Sequence, residues 1–293
     1  MTPTGLFVPL ITPFTDDGTL AADALEHHAH RVLDDGATGL VALGTTAEPA
    51  TLTPGERALV LEICARVCAE RGAPLIAGAG TNSTTGSLAA LAALEGRIAA
   101  ALTVVPYYTR PSEAGVLAHF RALAAGPVPL IVYNIPYRTG RTLGLDTVLA
   151  LAAIPGVIGF KHAVGAIDDT TVTMMSRLPG EVAVLAGDDL YAAPMLALGA
   201  HGAILACANL AAASYAELVR RWDQGPVESA RRLGHRLAAV AETVFAEPNP
   251  VVIKAVLAAQ GRIPSPAVRM PLLPASDEAT KAALRALDAL PVR

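Results

Sequence analysis

Eight short apolar runs recur along the chain with helix-like stretches between them, and this alternation constrains the fold more than any other feature. The runs are Leu6–Ile11, Gly39–Leu43, Pro74–Gly78, Ala101–Val105, Leu130–Tyr133, Val157–Lys161, Val182–Ala186 and Ala203–Ala206. Their starts fall roughly 20 to 35 residues apart, the length of a strand, a helix and two loops. The segments between them carry helix signals. Thr53-Pro54 supplies a cap and an N1 proline ahead of Glu56, its capping-box partner. Pro111-Ser112 and Asp168-Asp169 mark further helix starts. Strands alternating with helices specify an α/β fold with a parallel sheet, and eight is the number that closes a (β/α)8 TIM barrel. The main alternative on this pattern is an open doubly wound sheet.

Beyond the eighth run the pattern changes to helices alone: Ser214–Gln224, Val227–Ala246, Pro250–Gln260 and Ser276–Leu290. The first reads as the eighth barrel helix and the rest as a C-terminal helical appendage. The expected division is therefore a barrel carrying the active site over 1–224 and a helical extension over 225–293. Composition allows this: 53% of residues are hydrophobic and 16% charged, so a large core is available. A net charge of −4 offers no basic surface for nucleic acid. Apolar runs are broken by Arg, Glu, Gly or Pro before reaching membrane-spanning length, and no secretory leader pattern opens the chain. Cys64, Cys68 and Cys207 read as packing thiols in a reducing compartment, which points to the cytoplasm.

One strand-like run ends in a charge. Val157-Ile158-Gly159-Phe160-Lys161 leads an apolar segment into a lysine, and burial lowers a lysine's pKa toward that of a nucleophilic amine. The chain holds three lysines against nineteen arginines, and arginine cannot replace a free amine. On position alone Lys161 could equally cap the strand with its head in water. In a (β/α)8 barrel the site lies at the carboxyl ends of the strands. Those ends supply Gly44-Thr45-Thr46-Ala47-Glu48, Pro106-Tyr107-Tyr108, Tyr133-Asn134 with Arg138 beyond, Lys161, Gly187-Asp188-Asp189 and Cys207-Ala208-Asn209. Hydroxyls, phenols, a guanidinium and one amine suit carbonyl chemistry through a Schiff base. No strand end pairs His with carboxylates, so no metal or other cofactor is expected. Each group also has a structural reading. Thr45-Thr46 could be a capped turn, Tyr107 or Tyr108 an interface residue, Tyr133 core packing, and Arg138 a solvated turn residue. Asp188-Asp189 read as helix caps. The His27, His28 and His30 cluster lacks carboxylate partners. Gly78-Ala79-Gly80-Thr81-Asn82 lacks the third glycine of a nucleotide loop, and no nucleophile elbow is present.

Four segments together resemble the dihydrodipicolinate synthase/N-acetylneuraminate lyase superfamily of pyruvate-dependent class I aldolases. They are Gly44-Thr45-Thr46-Ala47-Glu48, Pro106-Tyr107-Tyr108-Thr109-Arg110-Pro111, Tyr133-Asn134-Ile135-Pro136-Tyr137-Arg138-Thr139-Gly140 and Gly159-Phe160-Lys161. Ala186-Gly187-Asp188-Asp189 and Glu247-Pro248-Asn249-Pro250 extend the match, and within the superfamily the chain looks most like the dihydrodipicolinate synthases. The resemblance implies a lyase in lysine and diaminopimelate biosynthesis that condenses pyruvate with L-aspartate 4-semialdehyde. It implies Lys161 as the imine-forming amine and Tyr133 as the proton-moving phenol, linked through Thr45 to Tyr108 of a neighbouring subunit. Thr46, with Thr45, would hold the pyruvate carboxylate. Arg138 would hold that of the aldehyde, and the backbone around Gly187 and Ile204 would line the pyruvate pocket. A homo-oligomer follows, either a dimer or a tetramer built as a dimer of dimers. The alternatives are a 4-hydroxy-2-oxoglutarate or 2-keto-3-deoxy sugar acid aldolase of the same superfamily, or a catalytically silent pyruvate-binding homologue. Three departures stand out: His162 in place of an acidic residue, Tyr137 in place of a small one, and Pro49, Pro54, Arg57 and Gly86 where some relatives bind lysine as a feedback inhibitor. Strand alternation puts His162 on the face opposite Lys161. Weak or absent inhibition by lysine is the expectation from the last set.

Overall fold

A computed structural model describes residues 2–291. In chain order its elements are β1 (Gly5–Pro9), α1 (Ala22–Asp34), β2 (Gly39–Ala42), α2 (Pro54–Arg71), β3 (Leu75–Gly78), α3 (Thr84–Ala92), β4 (Ala100–Val104) and α4 (Glu113–Ala124). They continue as β5 (Leu130–Asn134), the single turn α5 (Pro136–Thr139), α6 (Leu145–Ala152), β6 (Val157–His162), α7 (Asp169–Arg177), β7 (Ala183–Ala186), α8 (Ala192–Ala197) and β8 (Gly202–Ile204). Four helices close the chain: α9 (Ala208–Gln224), α10 (Val227–Val244), α11 (Val251–Ala259) and α12 (Asp277–Asp288). The eight strands follow one another in order around a closed barrel, with parallel pairing, so the fold is a (β/α)8 barrel and the open doubly wound sheet is excluded.

The helix starts are built as their chemistry requires. Thr53 accepts from the Glu56 backbone while the Glu56 carboxylate accepts from the Thr53 N–H at 2.8 Å, a complete capping box. Ser112 caps α4, Asp168 caps α7 and Ser276 caps α12, each accepting from the backbone N–H three residues on. The eighth helix begins earlier than the sequence suggests. It starts at Ala208 and bends at Ala211, where the backbone leaves helical geometry. The bend is held from outside the helix, since Arg262 donates to the carbonyls of Asn209 and Leu210.

Two compact units divide the described chain. One comprises residues 2–4 and 76–204, and within it β4 to β8 pair side by side. The other comprises residues 5–75 and 205–291, and within it α9 packs on β1 while α10 packs on α9 and α12. The interior of both is aliphatic and aromatic, with Phe14, Phe120, Phe160 and Tyr215 fully buried. Among the described residues no helix is long and apolar enough to cross a membrane.

Two buried histidines are held neutral. His28 on α1 meets the Asn209 amide oxygen through Nε2 at 2.9 Å, and His162 on β6 meets Thr171 Oγ1 at 3.0 Å. Thr171 gives its own proton to Asp168, so Nε2 of His162 is the donor of that pair. Burial pushes both imidazoles down to about 4. Unfolded, each takes up a proton as pH falls through about 6.5; folded, only near 4. Between those values the unfolded state binds more protons, so stability is full above the upper value and falls as pH drops, by up to about 1.4 kcal/mol per pH unit for each histidine. Denaturant midpoints measured from pH 7.5 to pH 5 should decline accordingly. A flat profile would show that the histidines do not titrate in this way.

Candidate active site

The 76–204 unit gathers most of the expected groups around Lys161. Lys161 on β6 shares register with Tyr133 on β5 and Leu185 on β7, and residues paired across parallel strands face the same side. The lysine is 6% exposed, and its Nζ stands 4.3 Å from the centre of the Tyr133 ring. Burial lowers its pKa to about 8; Asp189 opposes the shift, Arg138 adds to it and Asp188 opposes it. At pH 7 about a tenth of such an amine is uncharged, against well under a thousandth for an ordinary lysine. A phenol therefore stands beside an amine already disposed to lose its proton. The next residue, His162, pairs with Asn134 and Ala186 and turns to α7 through Thr171, the side opposite Lys161.

Room for the lysine comes from Gly187. A Cβ there would lie 2.6 Å from Lys161 Cγ and 3.0 Å from the His162 carbonyl, so no larger residue fits without moving the lysine. Its N–H donates to that same carbonyl at 2.8 Å, tying the end of β7 to β6. The following acids differ from expectation. α8 starts at Ala192 without a side-chain cap, so Asp188 and Asp189 are not capping residues. Asp189 is buried, burial raises the Asp188 carboxyl, and both act on Lys161 by charge. Sequence reasoning missed this because an acidic pair before a helix is the common signature of a cap. Ile204 ends β8 fully buried.

Arg138 sits on the turn α5 after β5, where Pro136 at the first helical position and Gly140 at positive φ begin and end a single turn. Its Nε donates to the Tyr137 phenol oxygen at 2.9 Å, and the guanidinium lies 5.0 Å from the centre of that ring. That leaves the two terminal nitrogens of the fork for a carboxylate. Burial raises the Tyr137 phenol, with Arg138 opposing the shift and Tyr133 and Asp188 adding to it. Tyr108 stands apart on the loop after β4, 88% exposed and at a φ of 65°.

The other unit holds the two threonines. Thr45, Thr46 and Ala47 form one 3-10 turn after β2 and end at Glu48 in the left-handed region; Leu43, just before, is there too. Two non-glycine residues in that region cost roughly 1–3 kcal/mol each and persist only where their surroundings hold them. The holding contacts are specific. Asn249 donates to the Thr46 hydroxyl at 3.0 Å, Thr12 donates to the Ala47 carbonyl at 2.8 Å, and Lys254 donates to the Glu48 carboxylate at 2.7 Å. Among the described residues, no three His, Cys, Asp or Glu side chains are grouped as metal ligands.

The Gly187 contact yields a test. Gly187→Ala should slow borohydride trapping of a small 2-oxo acid on Lys161 by about 100-fold, since displacing a reacting group by about an ångström has that order of effect. Its thermal midpoint should change little. Trapping at the wild-type rate would show that Gly187 does not set the lysine's position.

Comparison with known proteins agrees with this geometry. The model of the dihydrodipicolinate synthetase family matches residues 2–290. The chain is 39% identical over 287 residues to 4-hydroxy-tetrahydrodipicolinate synthase of Neisseria meningitidis serogroup B, covering 96% of this chain and 98% of the relative. Among solved structures, the chloride-inhibited dihydrodipicolinate synthase of Acinetobacter baumannii in complex with pyruvate superposes with a TM-score of 0.92 at 34% identity, covering 97% of this chain and 98% of that one. A structure described as the first monomeric dihydrodipicolinate synthase variant gives a TM-score of 0.92 at 29% identity, covering 97% and 96%. The chain belongs to the dihydrodipicolinate synthetase family and is a lyase.

Proposed function

We propose that this lyase condenses pyruvate with L-aspartate 4-semialdehyde, the reaction for which its curated relatives are named. The observation that carries the reading is the buried Lys161 amine, lowered to about 8 and set against the Tyr133 ring, in a chain of this family. The neutral amine attacks C2 of pyruvate, and loss of water gives a protonated imine. That imine draws electrons from the methyl carbon, which loses a proton and becomes an enamine. The enamine carbon then attacks the aldehyde carbon, whose oxygen takes up a proton. Attack of the semialdehyde's own amine on the imine carbon closes the ring and frees Lys161, so the enzyme returns to its starting state with no outside oxidant or reductant.

Each proton transfer needs a group within reach, and Tyr133 is assigned that role. Thr45 and Thr46 are assigned to the pyruvate carboxylate, and Arg138, with Nε occupied by Tyr137, to the carboxylate of the semialdehyde. The backbone of Gly187 and Ile204 is assigned to the pyruvate pocket. Tyr108, exposed on its loop, is assigned to the proton relay of a neighbouring copy, which makes the working enzyme a homodimer or a tetramer of paired dimers. Three buried thiols outside any disulfide suit a reducing cytoplasm.

The test is turnover. With pyruvate saturating, kcat/KM for L-aspartate 4-semialdehyde should exceed that for cleavage of 4-hydroxy-2-oxoglutarate or a 2-keto-3-deoxy sugar acid by a wide margin. Preference for a hydroxy-keto acid would assign the chain to another aldolase of the superfamily. Activity per subunit should fall on dilution as the oligomer dissociates, whereas a fully active monomer would remove Tyr108 from the relay.

A further inference from the structure

Lys254 is fully buried and has no part in the chemistry above. It lies on α11, in the run Val251-Val252-Ile253-Lys254-Ala255-Val256-Leu257, every residue of which is buried. Its Nζ donates to Glu48 Oε1 at 2.7 Å and stands 4.0 Å from the centre of the Phe14 ring. The second carboxylate oxygen of Glu48 accepts the backbone N–H of Arg269 at 2.9 Å. Arg269 in turn covers Phe14 at 4.3 Å, forks onto Glu56 and donates to the carbonyls of Thr51 and Gly18.

A buried ammonium with its one carboxylate partner committed is a poor nucleophile and a good anchor. What it anchors is the residue that ends the Thr45–Ala47 turn, at a backbone conformation L residues rarely adopt. Asn249, five residues before Lys254, holds the Thr46 hydroxyl of the same turn. The start of α11 therefore grips the turn at two points, one on Thr46 itself and one two residues further along the chain. The Lys254–Glu48 grip is buried and the Asn249–Thr46 one part-buried.

We infer that Lys254 and Glu48 are positioning residues for the pyruvate carboxylate, an internal ion pair through which α11 fixes the directions of the Thr45 and Thr46 donors. The inference rests on the reading that those threonines bind that carboxylate. Removing the pair lets the turn relax from its left-handed end, so the loss falls on pyruvate binding rather than on the Lys161 amine or on the aldehyde.

The experiment compares Lys254→Met and Glu48→Gln with the wild type, alongside Thr46→Val as a control for the carboxylate reading. Glu48→Gln keeps the shape of the side chain and sets an amide against Lys254 or against the Arg269 N–H. It supplies a milder variant if Lys254→Met does not fold. In folded protein, verified by circular dichroism and thermal midpoint, KM for pyruvate should rise about ten-fold or more, the scale of a lost charge-assisted hydrogen bond. The KM for the aldehyde and borohydride trapping of pyruvate on Lys161 at saturation should stay near wild type. An unchanged pyruvate KM in folded variants, or activity lost only in proportion to unfolded protein, would overturn the inference. Thr46→Val with normal pyruvate KM would instead sink the carboxylate reading on which it stands.

Discussion

Removing one amine from water is the constraint on which the rest of the site depends. An ammonium on a strand end would sit in solvent at little cost and would be useless as a nucleophile at neutral pH. Lys161 is instead enclosed by β5, β6 and β7, with Gly187 giving up its side chain to make the space. The burial that lowers the amine to about 8 also creates a liability, because a buried charge without partners is costly. Asp188 and Asp189 temper it, keeping the amine titratable rather than permanently neutral. A group poised near neutral pH can give up its proton and take it back without large cost, which is the property a proton-exchanging amine needs.

The second lysine meets the same burial differently. Burial lowers Lys254 to about 8 as well, with Glu48 opposing the shift. Its Nζ, however, is committed to the Glu48 carboxylate at 2.7 Å, so the partner and not the pKa sets it apart from Lys161. Buried pairs of this kind add little net stability, but breaking one leaves an uncompensated charge and costs about 3–5 kcal/mol. The C-terminal helices are thus more than a cover. Through Asn249, Lys254 and Arg269 they hold the turn that carries both threonines, and the Arg269–Glu56 fork ties the same network to the start of α2.

Much of this was legible in the chain because barrel architecture writes itself as a repeat. Every apolar run named from the sequence became a strand to within one or two residues at each end, since buried parallel strands read as continuous hydrophobic segments. Lys161, Tyr133 and Gly187 could be singled out for the same reason: each stands at or just past a strand end. What escaped was set by long-range contact. Glu48 and Lys254 lie 206 residues apart, and no local pattern joins them. One signal was available: Lys254 is the lone charge in an otherwise apolar helical run, and a charge with no polar face to occupy requires a partner. The Asp188-Asp189 pair was misread because local sequence reports helix starts well and says nothing of which buried amine lies nearby.

The central claim is that Lys161 is the amine on which the carbonyl substrate is activated. Incubation with pyruvate and borohydride, followed by peptide mass mapping, tests it directly. A single reduced pyruvate adduct on Lys161 is predicted, forming faster as pH rises through about 8 and the amine loses its proton. An adduct on Lys254 or Lys281, or none at all while pyruvate still binds, would contradict it.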